Sequence, residues 1–220
     1  MIHIQTLKST VLAGLTVLGL CAQISSAKAA DLEKITVAGG CFWCVESDFE
    51  RVGGVKEAVS GFIGGTVPNP TYKQVTGGGT GHYEAVEITF DPSIVDRDTL
   101  YAMFFRSVDP LDAGGQFCDR GDSYRTAIFA HSPAQESAAK KAKAAAQSAL
   151  GQPVVTPVLP AGEFYPAEAY HQDYYKGTKL VLTRFGPKRQ ASAYKAYREA
   201  CGRDARVREL WGDAAPFTGS

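Results

Sequence analysis

Two cysteines separated by two aromatic residues follow a glycine pair, in the order Gly39-Gly40-Cys41-Phe42-Trp43-Cys44. Residues 34–38 have a short β-branched pattern and a helical pattern follows Cys41, so this cysteine is predicted to lie where a strand meets a helix. Free backbone N–H groups and the positive end of the helix dipole stabilise a thiolate there, and the thiolate is the nucleophilic form. Phe42 and Trp43 offer an apolar wall that suits a methyl or thioether substrate.

The same pair of cysteines is open to other interpretations. A structural disulfide between Cys41 and Cys44 would close a very short loop and stabilise the fold little. A zinc ribbon would need a second closely spaced cysteine pair, which the sequence lacks, so we expect no metal and no cofactor. A CxxC motif that opens a helix after a strand is also typical of thioredoxin-like enzymes, so a thiol–disulfide oxidoreductase using Cys41 and Cys44 is the alternative function.

The elements around this motif alternate between strand and helix. Strands are predicted at residues 34–38, 55–62, 83–90, 124–130 and 154–158, and helices at residues 41–52, 96–108, 132–150 and 187–200. This order predicts an α+β fold, a two-layer α/β sandwich whose mixed sheet has a ferredoxin-like core covered by extra helices. In the strand at 83–90, Glu84 shares a face with Val86 and Ile88, which argues against a simply solvated carboxylate.

Composition excludes several classes of protein. The chain has 220 residues with 23 basic and 23 acidic side chains, so it lacks the basic excess that nucleic-acid binding requires. The apolar fraction of 45% is ordinary for a globular protein. Length and the absence of repeats or linkers predict a single catalytic domain over residues 30–220, and we expect a monomer.

Residues 1–29 have the layout of a secretory signal peptide. Lys8 precedes a run of twelve apolar or small residues at 11–22, and Ala27-Lys28-Ala29 has the small-x-small pattern of a cleavage site. The run is shorter than the roughly 20 residues that a membrane span needs, so no stable membrane insertion is expected after cleavage. The sequence therefore predicts an exported protein, periplasmic or secreted, that keeps four cysteines.

Five further motifs accompany the first one in order along the chain. The segment GCFWCVE at 40–46 is followed by GFIGG at 61–65, PNPTY at 68–72, TGHYEAV at 80–86, DRGDSYRT at 119–126 and YPAEAYHQ at 165–172. They run in order from about residue 35 to residue 175, a span that includes most of the mature chain, and they resemble the motifs of A-type peptide methionine sulfoxide reductases. The resemblance implies reduction of methionine S-sulfoxide, free or in proteins, to methionine.

The resemblance also implies roles for individual side chains. Cys41 would attack the sulfoxide sulfur while Glu84, held neutral by an apolar pocket, supplies a proton to the oxygen. Tyr72 and Tyr124 would hydrogen-bond that oxygen, with Asp119 near them. Phe42 and Trp43 would hold the methyl group, whereas His82 and His171 are expected to be structural.

Attack by Cys41 leaves a sulfenic acid that a second thiol must resolve as a disulfide. The chain departs from the family pattern here, because Cys44 replaces a common glycine and Cys118 a common asparagine. Cys201, in a tail expected to fold back over the site, is slightly favoured as the resolving cysteine. Cys44 is the alternative or a relay, and Cys118 a third option. The family's usual reductant is thioredoxin, so a thioredoxin-like partner is expected outside the cytoplasm.

Overall fold

The computed structural model describes residues 31–219, so the signal peptide predicted for residues 1–29 lies outside the described residues. The strands are β1 (Glu33–Gly39), β2 (Val55–Ile63), β3 (Tyr83–Phe90), β4 (Gly115–Gln116), β5 (Asp119–Arg120), β6 (Thr126–Ala130), β7 (Val158–Pro160), β8 (Tyr165–Pro166), β9 (Leu180–Thr183) and β10 (Gly186–Arg189). The helices are α1 (Phe42–Phe49), α2 (Tyr72–Thr76), α3 (Arg97–Phe105), α4 (Pro133–Leu150), α5 (Gln190–Ala200) and α6 (Arg203–Trp211). Within residues 31–219, none of these helices combines the length and the apolar character that a membrane crossing requires.

A six-stranded sheet in the order β7-β6-β1-β3-β2-β8 organises the molecule. The four middle strands are antiparallel neighbours, with α1 connecting β1 to β2 and α3 between β3 and β6. This is the ferredoxin-like arrangement, and it confirms the predicted core. Strand β7 adds to β6 in parallel, which makes the sheet mixed as expected.

The two faces of the sheet bury different kinds of side chain, because successive residues of a strand point to opposite sides. One face carries Ile35, Val37, Val86 and Ile88, which pack in the main core with side chains of the helices. The other face carries three alanines with Ile63, Tyr83 and Phe129, and side chains of the segment 159–164 pack against it. The prediction of a two-layer sandwich is therefore confirmed, with α1 lying against the centre of the sheet.

Two element predictions were wrong at the C-terminal half. Residues 154–157 are irregular and the strand begins only at Val158, because Pro153 and Pro157 have no N–H group to offer a strand ladder. The helix predicted from residue 187 begins at Gln190, because the preceding residues form β10 of a separate two-stranded hairpin with β9. The sequence pattern also missed α6. This helix begins directly after Gly202, whose backbone has the left-handed conformation.

Candidate active site

The turn between β1 and α1 presents Cys41 at the start of the helix, as the glycine pair predicted. Gly40 has φ +79°, and a Cβ there would lie 2.5 Å from the Cβ of Gln116, so only glycine fits this position. Cys41 is the N-cap residue of α1, and its carbonyl accepts a hydrogen bond from the Cys44 N–H at 3.0 Å. Its side chain makes no capping hydrogen bond and is free to react.

Cys41 and Cys44 are free thiols that share a hydrogen bond. The Cys41 thiol donates to the Cys44 sulfur, which lowers the pKa of Cys44 to about 7, assisted by the guanidinium groups of Arg203 and Arg198. The same hydrogen bond, together with burial, raises the pKa of Cys41 well above its ordinary value. The sequence placed the thiolate on Cys41, whereas Cys44, with the lower pKa, is the thiol of the pair that takes the negative charge first. Transfer of one proton along the hydrogen bond moves that charge to Cys41.

Glu84 lies on β3 opposite Phe62 of β2, and only 1% of its surface is exposed. Its Oε2 accepts a hydrogen bond from the Phe42 N–H at 3.1 Å, which ties the carboxyl to the first residue of α1. Its Oε1 is buried and has no hydrogen-bond partner among the described residues. Burial raises the pKa of Glu84 to about 8, and the nearby Asp119 and Cys44 add to the shift. Glu84 is therefore a neutral acid near pH 7 with one oxygen available to a substrate.

Tyr72 and Tyr124 lie beside Glu84, and the Tyr72 hydroxyl donates to that of Tyr124. Burial, reinforced by Glu84, raises the pKa of both phenols far above neutrality, so both keep their protons for donation. Asp119 lines the same cavity, and burial raises its pKa although Arg203 and Arg184 oppose the shift. The structure thus brings the predicted acid, the two phenols and Asp119 together with Cys41 around a cavity of about 350 Å³.

The aromatic wall is larger than the sequence indicated. Phe42 is almost fully buried and packs against Phe62, Tyr72 and His171, with ring centroids 5.4–6.0 Å apart. The half-buried Trp43 stacks on Tyr174 at 3.7 Å between centroids. Tyr174 was not predicted as a site residue, yet it also lines the cavity.

Both histidines are placed as structural groups, in agreement with expectation. His82 accepts from the Gly65 N–H at 3.1 Å and lies 2.8 Å from the Val67 carbonyl, so it holds the loop before α2. His171 is buried between aromatic rings, and burial lowers its pKa, which keeps it neutral.

The C-terminal tail folds back beneath the catalytic turn. Arg203 is 2% exposed and donates to the Gly39 carbonyl at 3.1 Å and to the Ser107 carbonyl at 3.0 Å. Arg198 donates to the buried Asp48 of α1 at 2.8 Å. Arginines in a sequence are usually solvated, so neither was singled out. The signal available was their position, one on each side of Cys201.

The tail also carries a disulfide, between Cys201 and Cys118, with Cα atoms 4.9 Å apart. Cys118 lies at the turn of the short β4–β5 hairpin, and Cys201 caps the end of α5. Both line the cavity that also contains Cys41 and Cys44, so all four cysteines of residues 31–219 face one space. Sequence reasoning had considered each of these thiols as a partner of Cys41 but had not paired them with each other.

Together these groups can reduce an S=O bond. One thiol of a hydrogen-bonded pair is a nucleophile, a neutral carboxyl can protonate the departing oxygen, and two phenols can hydrogen-bond it as charge develops. The aromatic rings favour an apolar group next to the reacting sulfur.

Comparison with known proteins agrees with this chemistry. The sequence model of the family described as peptide methionine sulfoxide reductase matches residues 33–212. The peptide methionine sulfoxide reductase MsrA of Listeria welshimeri is 47% identical over 182 residues, which cover 82% of this chain and 96% of that protein. MsrA 2 of Rhizobium meliloti is 47% identical over 195 residues, covering 89% and 91% respectively.

Solved structures resemble the fold as well. The reduced form of Mxr1 from Saccharomyces cerevisiae aligns with a TM-score of 0.63 at 32% identity, over 66% of this chain and 84% of that one. Methionine sulfoxide reductase A of Corynebacterium diphtheriae aligns with a TM-score of 0.60 at 36% identity, over 66% of this chain and 74% of that one.

Proposed function

Because the chain belongs to the peptide methionine sulfoxide reductase family, we propose that it reduces methionine S-sulfoxide, free or in proteins, to methionine with Cys41 as the nucleophile. The observation that carries the mechanism is the neutral carboxyl of Glu84, whose unpartnered Oε1 (among residues 31–219) shares a cavity with Cys41. A sulfoxide sulfur is a poor electrophile until its oxygen is protonated. A thiol enzyme for this substrate therefore needs an acid at this place.

The first step forms a bond between the Cys41 sulfur and the sulfoxide sulfur. The Cys41 proton moves to Cys44, and Glu84 gives its proton to the sulfoxide oxygen, which Tyr72 and Tyr124 hydrogen-bond. Transfer of the oxygen to Cys41 then releases methionine. The substrate sulfur gains two electrons, and Cys41 loses two as it becomes a sulfenic acid.

We propose Cys44 as the cysteine that resolves the sulfenic acid. It hydrogen-bonds Cys41, whereas Cys201 is paired with Cys118 in this redox state. Attack of the Cys44 sulfur on the Cys41 sulfur expels the hydroxyl as water, with the Cys44 proton, and leaves a Cys41–Cys44 disulfide. An external dithiol of the thioredoxin type then supplies two electrons and two protons and becomes a disulfide itself.

The test uses fully reduced protein and the two epimers of N-acetylmethionine sulfoxide, with no reductant present. We expect release of N-acetylmethionine from the S epimer, none from the R epimer, and none from either with Cys41→Ser. Release of product by the Cys41→Ser variant would show that Cys41 is not the nucleophile. Absence of any release, with activity in disulfide exchange retained, would instead support the alternative oxidoreductase.

We also propose that residues 1–29 are a signal peptide and that the enzyme acts in the periplasm. Support comes from the apolar run at residues 11–22 and the Ala27-Lys28-Ala29 pattern, and from the family match, which begins only at residue 33. Expression of the full chain in a Gram-negative host should yield protein in the periplasmic fraction that begins at Ala30. An intact Met1 on cytoplasmic protein would contradict export.

A further inference from the structure

We propose that Glu46 is a positioning residue of the reductase, whose buried carboxyl holds residues 171–174 where their rings complete the aromatic wall around the substrate. This inference rests on the proposed function and adds a group that touches no reacting atom, since Glu46 is not among the residues of the described chain that line the cavity. Glu46 lies on α1, the helix that begins directly after Cys41. The helix that presents the nucleophile therefore also holds the part of the wall that comes from a distant segment.

The carboxyl of Glu46 joins three separate parts of the chain. The residue has no exposed surface, its Oε1 accepts a hydrogen bond from the Asp173 N–H, and its Oε2 accepts one from the Ser60 hydroxyl. Ser60 lies on β2, and Asp173 lies between β8 and β9. A carboxyl that is buried without hydrogen bonds is costly, so these two partners fix where it lies.

The backbone at Asp173 is the point that needs holding. Asp173 has φ +56°, a left-handed conformation that residues other than glycine rarely adopt. The preceding Gln172 is tied to β2, since its side chain accepts from the Ser60 N–H at 3.0 Å and donates to the Ser60 carbonyl at 2.8 Å. The Glu46 carboxyl takes the N–H of the strained residue itself. It therefore stabilises the turn that directs the chain into Tyr174.

Two rings of this segment pack on the residues that face the substrate. The Tyr174 ring stacks on Trp43 with 3.7 Å between centroids and 5° between planes. The His171 ring lies 5.4 Å from the Phe42 ring and 4.3 Å from the Tyr72 ring, centroid to centroid. A shift of the segment would open the wall on one side. It would weaken binding of the apolar group next to the sulfoxide while leaving the nucleophile and the acid in place.

The position requires the reach of the side chain and not its charge. Burial raises the pKa of Glu46 to about 7, although both of its hydrogen bonds oppose the shift, so the neutral and ionised forms coexist near neutral pH. The ionised carboxyl accepts from both partners. In the neutral form Oε1 still accepts from the Asp173 N–H, and the acid proton is donated to the Ser60 hydroxyl, which can also act as an acceptor. Glutamine has the same reach and the same pattern, whereas aspartate is one methylene too short to meet both partners.

The test compares Glu46→Asp with Glu46→Gln in the mature chain. Each protein is reduced, freed of reductant and mixed with the S epimer of N-acetylmethionine sulfoxide, and the first product is measured by rapid quench. For Glu46→Asp we expect the half-saturating substrate concentration to rise about tenfold, with the rate constant at saturation within about threefold of the wild type. For Glu46→Gln we expect both values to stay close to those of the wild type.

Two results would overturn the proposal: wild-type half-saturation in Glu46→Asp, or a Glu46→Gln variant as impaired as Glu46→Asp. A wild-type protein that releases no product would contradict the proposed function itself. If Glu46→Asp does not fold, Ser60→Ala takes its place, because it removes the hydroxyl partner of the carboxyl. We expect its half-saturating concentration to rise about threefold, and an unchanged value would also overturn the proposal.

A control variant separates positioning from a general loss of stability. Gln135 on α4 is 7% exposed, and its side chain accepts from the His131 N–H at 3.0 Å and donates to the Lys34 carbonyl at 2.7 Å. Gln135→Leu disrupts these buried hydrogen bonds away from the cavity, so we expect a lower urea midpoint with neither kinetic value changed. A rise in the half-saturating concentration equal to that of Glu46→Asp would overturn the proposal, since lost stability would then account for both.

The fluorescence of Trp43 reports on the wall directly. The chain has two tryptophans, so Trp211→Phe leaves Trp43 as the single emitter. In this background we expect Glu46→Asp to make Trp43 more accessible to quenching by acrylamide, because the stacked Tyr174 ring moves away, and Glu46→Gln to leave the quenching unchanged. Equal quenching in the parent protein and Glu46→Asp would show that the carboxyl does not hold the stack, and would overturn the proposal.

Discussion

Glu84→Gln should slow methionine release from S-methionine sulfoxide by about a hundred- to ten-thousandfold, the range that a positioned general acid contributes. Glutamine can keep the hydrogen bond from the Phe42 N–H, because its amide oxygen replaces Oε2. It can also donate a hydrogen bond to the substrate oxygen, but it has no proton to transfer. We therefore expect the loss in the rate constant for the first methionine, measured by rapid quench, with little change in the substrate concentration at half-saturation.

The pH profile gives this prediction its control. The pKa of Glu84 is raised to about 8, so the carboxyl is protonated below that pH and the acid is lost as pH rises through it. The wild-type rate should fall above about pH 8, and Glu84→Gln should lack that descending limb. Thiol exchange with a small aromatic disulfide should be nearly equal in the two proteins. An equal decrease in sulfoxide reduction and disulfide exchange would mean that Glu84 is not the proton donor.

Arg198→Met should lower the free energy of unfolding by about 3–5 kcal/mol, because it removes the hydrogen-bonded partner of the buried Asp48 carboxylate and leaves only the Arg203 guanidinium, 4.0 Å away. Asp48 is fully buried, and Arg198 donates to its Oδ1 at 2.8 Å. Burial raises the pKa of Asp48 despite the nearby guanidinium groups. The same substitution removes one of the positive charges that favour a thiolate on Cys44, so the pKa of that thiol should rise. Urea unfolding and the thiolate absorbance against pH measure the two effects.

Two further variants make the result specific. Asp48→Asn in the Arg198→Met background should recover part of the lost stability, because a neutral amide no longer leaves a buried charge. Lys140→Met, which breaks the exposed pair with Glu136, should change stability by less than about 1 kcal/mol. If Arg198→Met and Lys140→Met had equal effects, the buried pair would not be a determinant of stability.

The features that the sequence predicted are those that local chemistry decides. Glycine at residue 40 and the helical pattern after it place Cys41 at a helix start, since only glycine accepts the left-handed turn against Gln116. The alternation of the strand at 83–90 puts Glu84 on a buried face, because neighbouring strand residues point to opposite sides. The order of strands and helices was sufficient for the ferredoxin-like core.

Two predicted elements were displaced by their immediate neighbours in the sequence. Pro153 and Pro157 keep residues 154–157 out of a strand ladder, and the β9–β10 hairpin takes the residues up to Arg189, so that α5 begins only at Gln190.

Inside the site, the sequence by itself determined which residues can do chemistry: the thiols, the acid on a buried strand face and the aromatic wall. Only the tertiary structure decided where the charge and the bonds lie. The buried guanidinium groups of Arg198 and Arg203 assist the hydrogen bond from Cys41 in lowering the pKa of Cys44, and the folding of the tail joins Cys201 to Cys118. Both outcomes depend on contacts between residues more than 80 positions apart, which no local pattern of residue types encodes.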